Sequence, residues 1–170
     1  MKENNIHATF FCIGSQIEKY PDIFKRIIAE NHIVGNHSYS HSNKIGLFSK
    51  AEMIFEIERT DEIIQKYSNK KSNYYRPPFG VTNPNIAKAL KFTKHKVIGW
   101  NIRSLDTKIQ SEEKILKRIK KRLSPGSIIL LHDTSEKTVR VLEQLLVILS
   151  ENQYEAVTVE TLLEIPAYEK

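Results

Sequence analysis

Segments of strand length and helix length alternate about six times along the chain, and that rhythm limits its fold more than any other feature. Residues 7–13 are aromatic and apolar over strand length. A helical stretch follows, with Pro21 near a helix start and Ile17, Tyr20, Phe24, Ile27 and Ile28 predicted on one face. Residues 32–36 read as a short strand. A long helix is expected over residues 50–67, where Met53, Ile57, Thr60, Ile64 and Tyr67 recur at three- and four-residue spacing. Strands at residues 73–75, 96–100, 127–131 and 156–159 are expected between helices at 84–92, around the basic run 114–122, at 135–150 and at the end of the chain. This order points to a parallel sheet with crossover helices. An open sheet and a barrel both satisfy it, and in either one the active groups belong in loops after the C-terminal ends of the strands.

No repeat, low-complexity tract or Pro/Gly-rich linker divides the chain, so residues 1–170 read as a single domain. With 40% hydrophobic and 27% charged residues, the composition is that of an ordinary globular protein. No apolar run approaches the ~18 residues of a membrane span, and no signal-peptide pattern opens the chain. As it stands the chain is expected in the cytoplasm; a signal upstream would make the cell envelope or secretion the expectation. The one cysteine, Cys12, excludes an intrachain disulfide and reads as a buried small hydrophobe. The net charge of +6 gathers at Lys114, Lys117, Arg118, Lys120, Lys121 and Arg122, while Ile115, Ile119 and Leu123 recur every four residues. That is an amphipathic helix with a solvated face. Attraction to an anionic polymer is the sharper alternative. No aromatic or glycine pattern interleaves the basic residues, so no nucleic-acid partner is expected.

Four strand ends carry chemistry. After the second strand, His37 and His41 fall within the His-x(3–5)-His spacing of zinc sites. After the next, Arg76 precedes Pro77, Pro78, Phe79 and Gly80, a rigid turn that suits an arginine held to orient a carboxylate. Asp106 follows a strand and, alone, reads as a loop cap or turn residue. His132 and Asp133 end a very apolar strand, and a histidine between dry core and open loop suits a general acid or base.

In order, Ala-Thr-Phe-Phe, Gly-Asn-His-Ser-x-x-His, Arg-Pro-Pro-Phe-Gly, Arg-Ser-Leu-Asp-Thr and Leu-Leu-His-Asp resemble the polysaccharide deacetylase family, the NodB-homology domain of carbohydrate esterase family four. The resemblance runs from about residue 4 to residue 163. It implies a distorted (β/α) barrel of about seven parallel strands, and hydrolysis of N-acetyl groups on N-acetylglucosamine polymers such as peptidoglycan or chitin-like chains. It also implies roles. His37 and His41 match the metal-binding histidines, with zinc the divalent metal expected. Arg76 matches the arginine that steadies the catalytic base, and the Phe79 N–H matches an oxyanion donor. His132 matches the general acid and Asp106 the carboxylate that sets its charge. Leu130 matches a wall of the acetyl-methyl pocket.

The sequence departs from the family in one large respect. Thr-Phe-Asp-Asp-Gly, which ends the family's first strand and supplies the catalytic-base aspartate and third metal ligand, is not in these residues. Residues 1–5 read as the last turn of a helix with asparagine as C-cap. The domain is therefore expected to be N-terminally truncated, its barrel incomplete at the first strand by roughly 20 residues, with Met1 an internal methionine or the start of a shortened protein. Two of three metal ligands remain, so this chain is expected to be nearly inactive, and unpaired sheet edges are expected to promote self-association. Thr107 and Arg103 are smaller departures, expected to alter substrate contacts. An O-acetyl xylan esterase and a non-catalytic carbohydrate-binding remnant are the alternative readings.

Overall fold

The computed structural model describes Met1 and residues 5–169, so the expected helical turn at residues 1–5 falls largely outside the described residues. The chain forms two compact units, residues 1–98 with 158–170, and residues 99–157.

The first unit holds a four-stranded sheet in the order β1-β2-β3-β4, with β1 at Thr9–Cys12, β2 at Ile33–Asn36, β3 at Tyr74–Tyr75 and β4 at Lys96–Val97. All three pairings are parallel, as the alternation predicts. Among the described residues the α-helices of this unit are α1 Gly14–Lys19, α2 Pro21–Ala29, α3 Lys50–Ser68, α4 Pro84–Thr93 and α7 Val159–Leu163. The helix starts follow from local chemistry. Ser49 and Glu52 close a capping box on α3. Asn83 caps α4 through the Ile86 N–H, and Pro84 stands at its first turn. The buried stripe of α3 feeds two clusters. Met53 and Ile57 pack with Ile45, Tyr75, Ile86, Ala89 and Leu90, while Ile63 and Ile64 pack with Ile17, Phe24 and Val34.

The second unit pairs β5 (Ile102–Arg103) with β6 (Ile129–Leu130) in parallel. Helices α5 (Glu112–Lys120) and α6 (Glu136–Glu151) belong to the same unit. Ile102, Ile115, Leu116, Ile119, Val141, Leu145 and Leu149 make its core. Lys114, Lys117, Lys120, Lys121 and Arg122 are exposed, the wet face that the periodicity predicts.

Three expectations change. The helix predicted through Tyr20 is two helices, because Pro21 disfavours helical backbone at the residue before it. Tyr20 accordingly sits at φ −131°, ψ 58° and is 47% exposed rather than on the buried face. The strand expected over residues 96–100 stops at Val97, and β5 at Ile102–Arg103 stands as a separate strand. The strand expected at residues 156–159 is absent. Thr158 instead caps α7 by accepting the Thr161 N–H, and the Val159 N–H donates to Thr9 Oγ1 at 3.0 Å. Side-chain capping there outweighs the strand preference of a Val-Thr-Val run.

Candidate active site

Parallel register places Cys12, Asn36, Tyr75 and Val97 in one row across the sheet. His37 and Arg76 therefore leave adjacent strands side by side. The Arg76 N–H donates to the Asn36 carbonyl at 3.0 Å, and His37 Nδ1 lies 2.6 Å from the Arg76 carbonyl. Because a carbonyl only accepts, Nδ1 carries the hydrogen, and in the neutral ring Nε2 then carries the lone pair. That outer hydrogen bond is how metal-ligating histidines are commonly oriented. The His41 ring lies 4.9 Å from the His37 ring, centroid to centroid. Two imidazoles so placed fit a nitrogen-preferring divalent cation such as zinc. Among the described residues no group of three or more His, Cys, Asp or Glu is placed to hold a metal ion.

The approach of these strands depends on Gly35, where an added Cβ would stand 2.6 Å from the Phe11 ring. Phe11 in turn lies under the Arg76 guanidinium, 4.0 Å from ring centroid to Cζ. Arg76 is 8% exposed, and its Nε–H donates to the Ile98 carbonyl at 3.0 Å. Burial alone lowers its pKa to about 10, so it stays cationic at neutral pH. Phe79 sits in the left-handed region at φ 58° and is 50% exposed, its ring 4.6 Å from that of His41. His37, His41, Arg76 and Phe79 are thus gathered in the first unit.

Asp106, Leu130 and His132 lie in the second unit. Leu130 is buried on β6, two residues before His132. Asp106 is 0% exposed. Its Oδ1 accepts from Ser104 Oγ at 2.7 Å and from His132 Nδ1 at 2.9 Å; its Oδ2 accepts from the His132 N–H at 2.8 Å and Thr138 Oγ1 at 3.1 Å. Burial by itself pushes the Asp106 carboxyl up. The hydrogen bonds from the His132 ring, the Ser104 hydroxyl and the His132 backbone outweigh it and hold the group well below the usual carboxylate range. The His132 side chain is 41% exposed, so a buried carboxylate grips Nδ1 of a ring that reaches solvent. Such a pair orients the ring and suits a histidine that passes a proton through Nε2.

Residues 1–98 match the polysaccharide deacetylase family. The chain belongs to that family. A peptidoglycan-N-acetylglucosamine deacetylase of Bacillus cereus is 34% identical over 134 residues, covering 79% of this chain and 48% of the relative. The peptidoglycan-N-acetylmuramic acid deacetylase PdaC of Bacillus subtilis is 32% identical over 165 residues, covering 97% of this chain and 34% of the relative. The chain therefore spans half or less of the length of these two deacetylases. Among solved structures, the Bc1960 peptidoglycan N-acetylglucosamine deacetylase aligns with a TM-score of 0.92 at 30% identity, over 99% of this chain and 80% of that one. BA3943 from Bacillus anthracis, a CE4 family pseudoenzyme, aligns with a TM-score of 0.88 at 28% identity, over 95% of this chain and 59% of that one. An α/β fold with parallel strands is thus shared with other polysaccharide deacetylases.

Several residues that build these clusters carry no signal as single positions in the sequence. Asn36 is fully buried, and its Nδ2 donates to the Ile57 carbonyl at 2.8 Å and to Asp61 at 2.7 Å. Glu56 accepts the backbone N–H groups of Tyr39 and Ser40 at 3.0 and 2.8 Å. Ser104 and Thr138 hold Asp106. Glu56 is the partial exception: it adjoins Ile57 on the apolar stripe of α3, and a buried carboxylate needs partners.

Proposed function

We propose that this chain is a catalytic region of a hydrolase that removes N-acetyl groups from the glycan of peptidoglycan. The observation that carries the reading is the Asp106–His132 pair, a solvent-reaching imidazole held by a buried carboxylate in a chain of this family. Deacetylation adds water across an amide. The carbonyl carbon gains an oxygen, the C–N bond breaks, and acetate and an amine leave. Amines are poor leaving groups, so a proton must reach the nitrogen as that bond breaks. His132 would donate it from Nε2, while Asp106, bonded at Nδ1, holds the ring turned for that role. His37 and His41 would hold a divalent metal, zinc being expected, which when bound polarises the carbonyl and acidifies water. Arg76 would orient a carboxylate, the Phe79 N–H would face the developing oxyanion, and Leu130 would wall the acetyl methyl. The relatives' names support peptidoglycan as substrate.

The 170 residues carry no Thr-Phe-Asp-Asp-Gly, and by themselves we expect them to be severely impaired. A general base alone contributes about 10²–10⁴-fold. The second reading, a non-catalytic glycan-binding fold, draws on there being no group of three or more metal-ligating side chains among the described residues and on a pseudoenzyme among the related structures. The deciding measurement is acetate release from N-acetylated peptidoglycan fragments and N-acetylchitooligosaccharides with zinc supplied, acetylated xylan serving as the O-acetyl control. The 170 residues alone should give only a trace. Joining a relative's Thr-Phe-Asp-Asp-Gly segment ahead of residue 1 should raise release from the N-acetylated glycans, and His132→Ala should abolish that gain. Robust turnover by the 170 residues alone would sink the impairment. A joined protein that binds zinc yet releases no acetate would leave the binding reading standing.

A further inference from the structure

The segment from His37 to His41 is irregular backbone, and two of its residues, Ser38 at φ 64° and His41 at φ 50°, occupy the left-handed region that non-glycine residues enter at a cost. Something must hold it there. Its backbone donors can be followed one by one. His37 N–H donates to the Cys12 carbonyl at 3.0 Å, and Ser38 N–H to Asn36 Oδ1 at 2.9 Å. His41 N–H donates to Ser38 Oγ at 3.2 Å. The two donors between the histidines, Tyr39 and Ser40, both go to Glu56 Oε2. Those are the bonds that tie the middle of the segment to a long helix. The same helix grips its start, since Asn36 donates to the Ile57 carbonyl and to Asp61 of α3.

Glu56 is 7% exposed and neighbours the core residue Ile57, a place where an unpartnered carboxylate would be costly. Its reach to two consecutive amides compensates its burial and, beside the Gly14 and Ser15 N–H groups that donate to the Ser38 and Tyr39 carbonyls at 3.0 Å each, holds the stretch between His37 and His41. We propose that Glu56 is a positioning residue for the His37–His41 pair. The consequence for metal binding rests on reading those histidines as metal donors, as above.

Charge and reach separate this role from general stabilisation. Glu56→Gln keeps a carbonyl oxygen at the same distance and loses the charge. Glu56→Asp keeps the charge and withdraws the oxygens by one methylene. Amide exchange in the metal-free, ¹⁵N-labelled chain should rise about tenfold at Tyr39 and Ser40 in Glu56→Asp, the scale of a hydrogen bond lost through shortened reach, while Glu56→Gln, which keeps an acceptor in place, stays close to wild type. Zinc affinity, followed through the ring nitrogen shifts of His37 and His41, should fall about tenfold to a hundredfold in Glu56→Asp and be rescued in Glu56→Gln. Unchanged exchange in Glu56→Asp, or the reverse order of the two variants, would overturn the proposal. His37→Ala keeps the two ideas apart. Zinc affinity that survives this change would count against the metal reading, whereas exchange at Tyr39 and Ser40, measured without metal, decides the role of Glu56.

Discussion

Asp106 concentrates more chemistry than any other residue of the second unit: full burial, and donors on both oxygens from Ser104, His132 and Thr138. Its carboxyl titrates below its unfolded value, so the native state favours the ionised form. The resulting stabilisation is complete above the unfolded carboxylate pKa of about 4 and drains away as pH falls toward the depressed folded value. Asp106→Asn should therefore cost about 3 kcal/mol at pH 7, through donors left facing a side chain with one acceptor fewer. Urea unfolding at pH 7 and at pH 3 checks this; the gap between variant and wild type should narrow at the lower pH, and an equal gap would refute the linkage. Asp106 and His132 are legible because each follows a strand inside a recognisable motif. Thr138 is not, since it lies on α6, and no local pattern tells a helix residue that its hydroxyl will meet a carboxylate from a distant loop.

At the scale of elements, the sequence pattern worked where periodicity and capping agreed. The spacing over residues 50–67 matches α3, whose boundaries Ser49 and Asn69 enforce. It failed where two local forces compete, as at Thr158, where a cap defeats strand propensity, and at Tyr20, where Pro21 breaks an otherwise continuous apolar face. Close strand approach is a third thing that periodicity does not report. Gly35 falls within the strand expected over residues 32–36, but nothing in the sequence reports that its lack of a Cβ admits the Phe11 ring. Gly35→Ala should force that ring, and the Arg76 guanidinium stacked on it, to move. The expected loss is about 1–3 kcal/mol, the usual cost of overpacking a close-packed core. Thermal unfolding of the variant measures it, and an undiminished midpoint would mean that Phe11 yields without cost.

For the whole molecule the question is whether it stays alone in solution. Among the described residues β1 is an end strand of its sheet, and Thr9, Phe10, Phe11 and Cys12 place no charge along it. Uncharged, apolar edge strands offer unpaired backbone to a second copy, and charged side chains are the usual protection against that. What opposes association here is the net charge of +6, a long-range repulsion between copies rather than a local block. Salt should then act in the direction opposite to its effect on an ion-paired interface. At low ionic strength the repulsion keeps copies apart; near 0.15 M, where the screening length is about 8 Å, edge pairing is left unopposed. We propose that the chain self-associates through β1, with the monomer fraction falling as salt rises. Light scattering across a salt series reads this directly, and Phe10→Lys, which places a charge on the edge, should restore the monomer at high salt. A chain that stays monomeric throughout the series would end the proposal, and association that weakens with salt would point to paired surface charges instead of the strand edge.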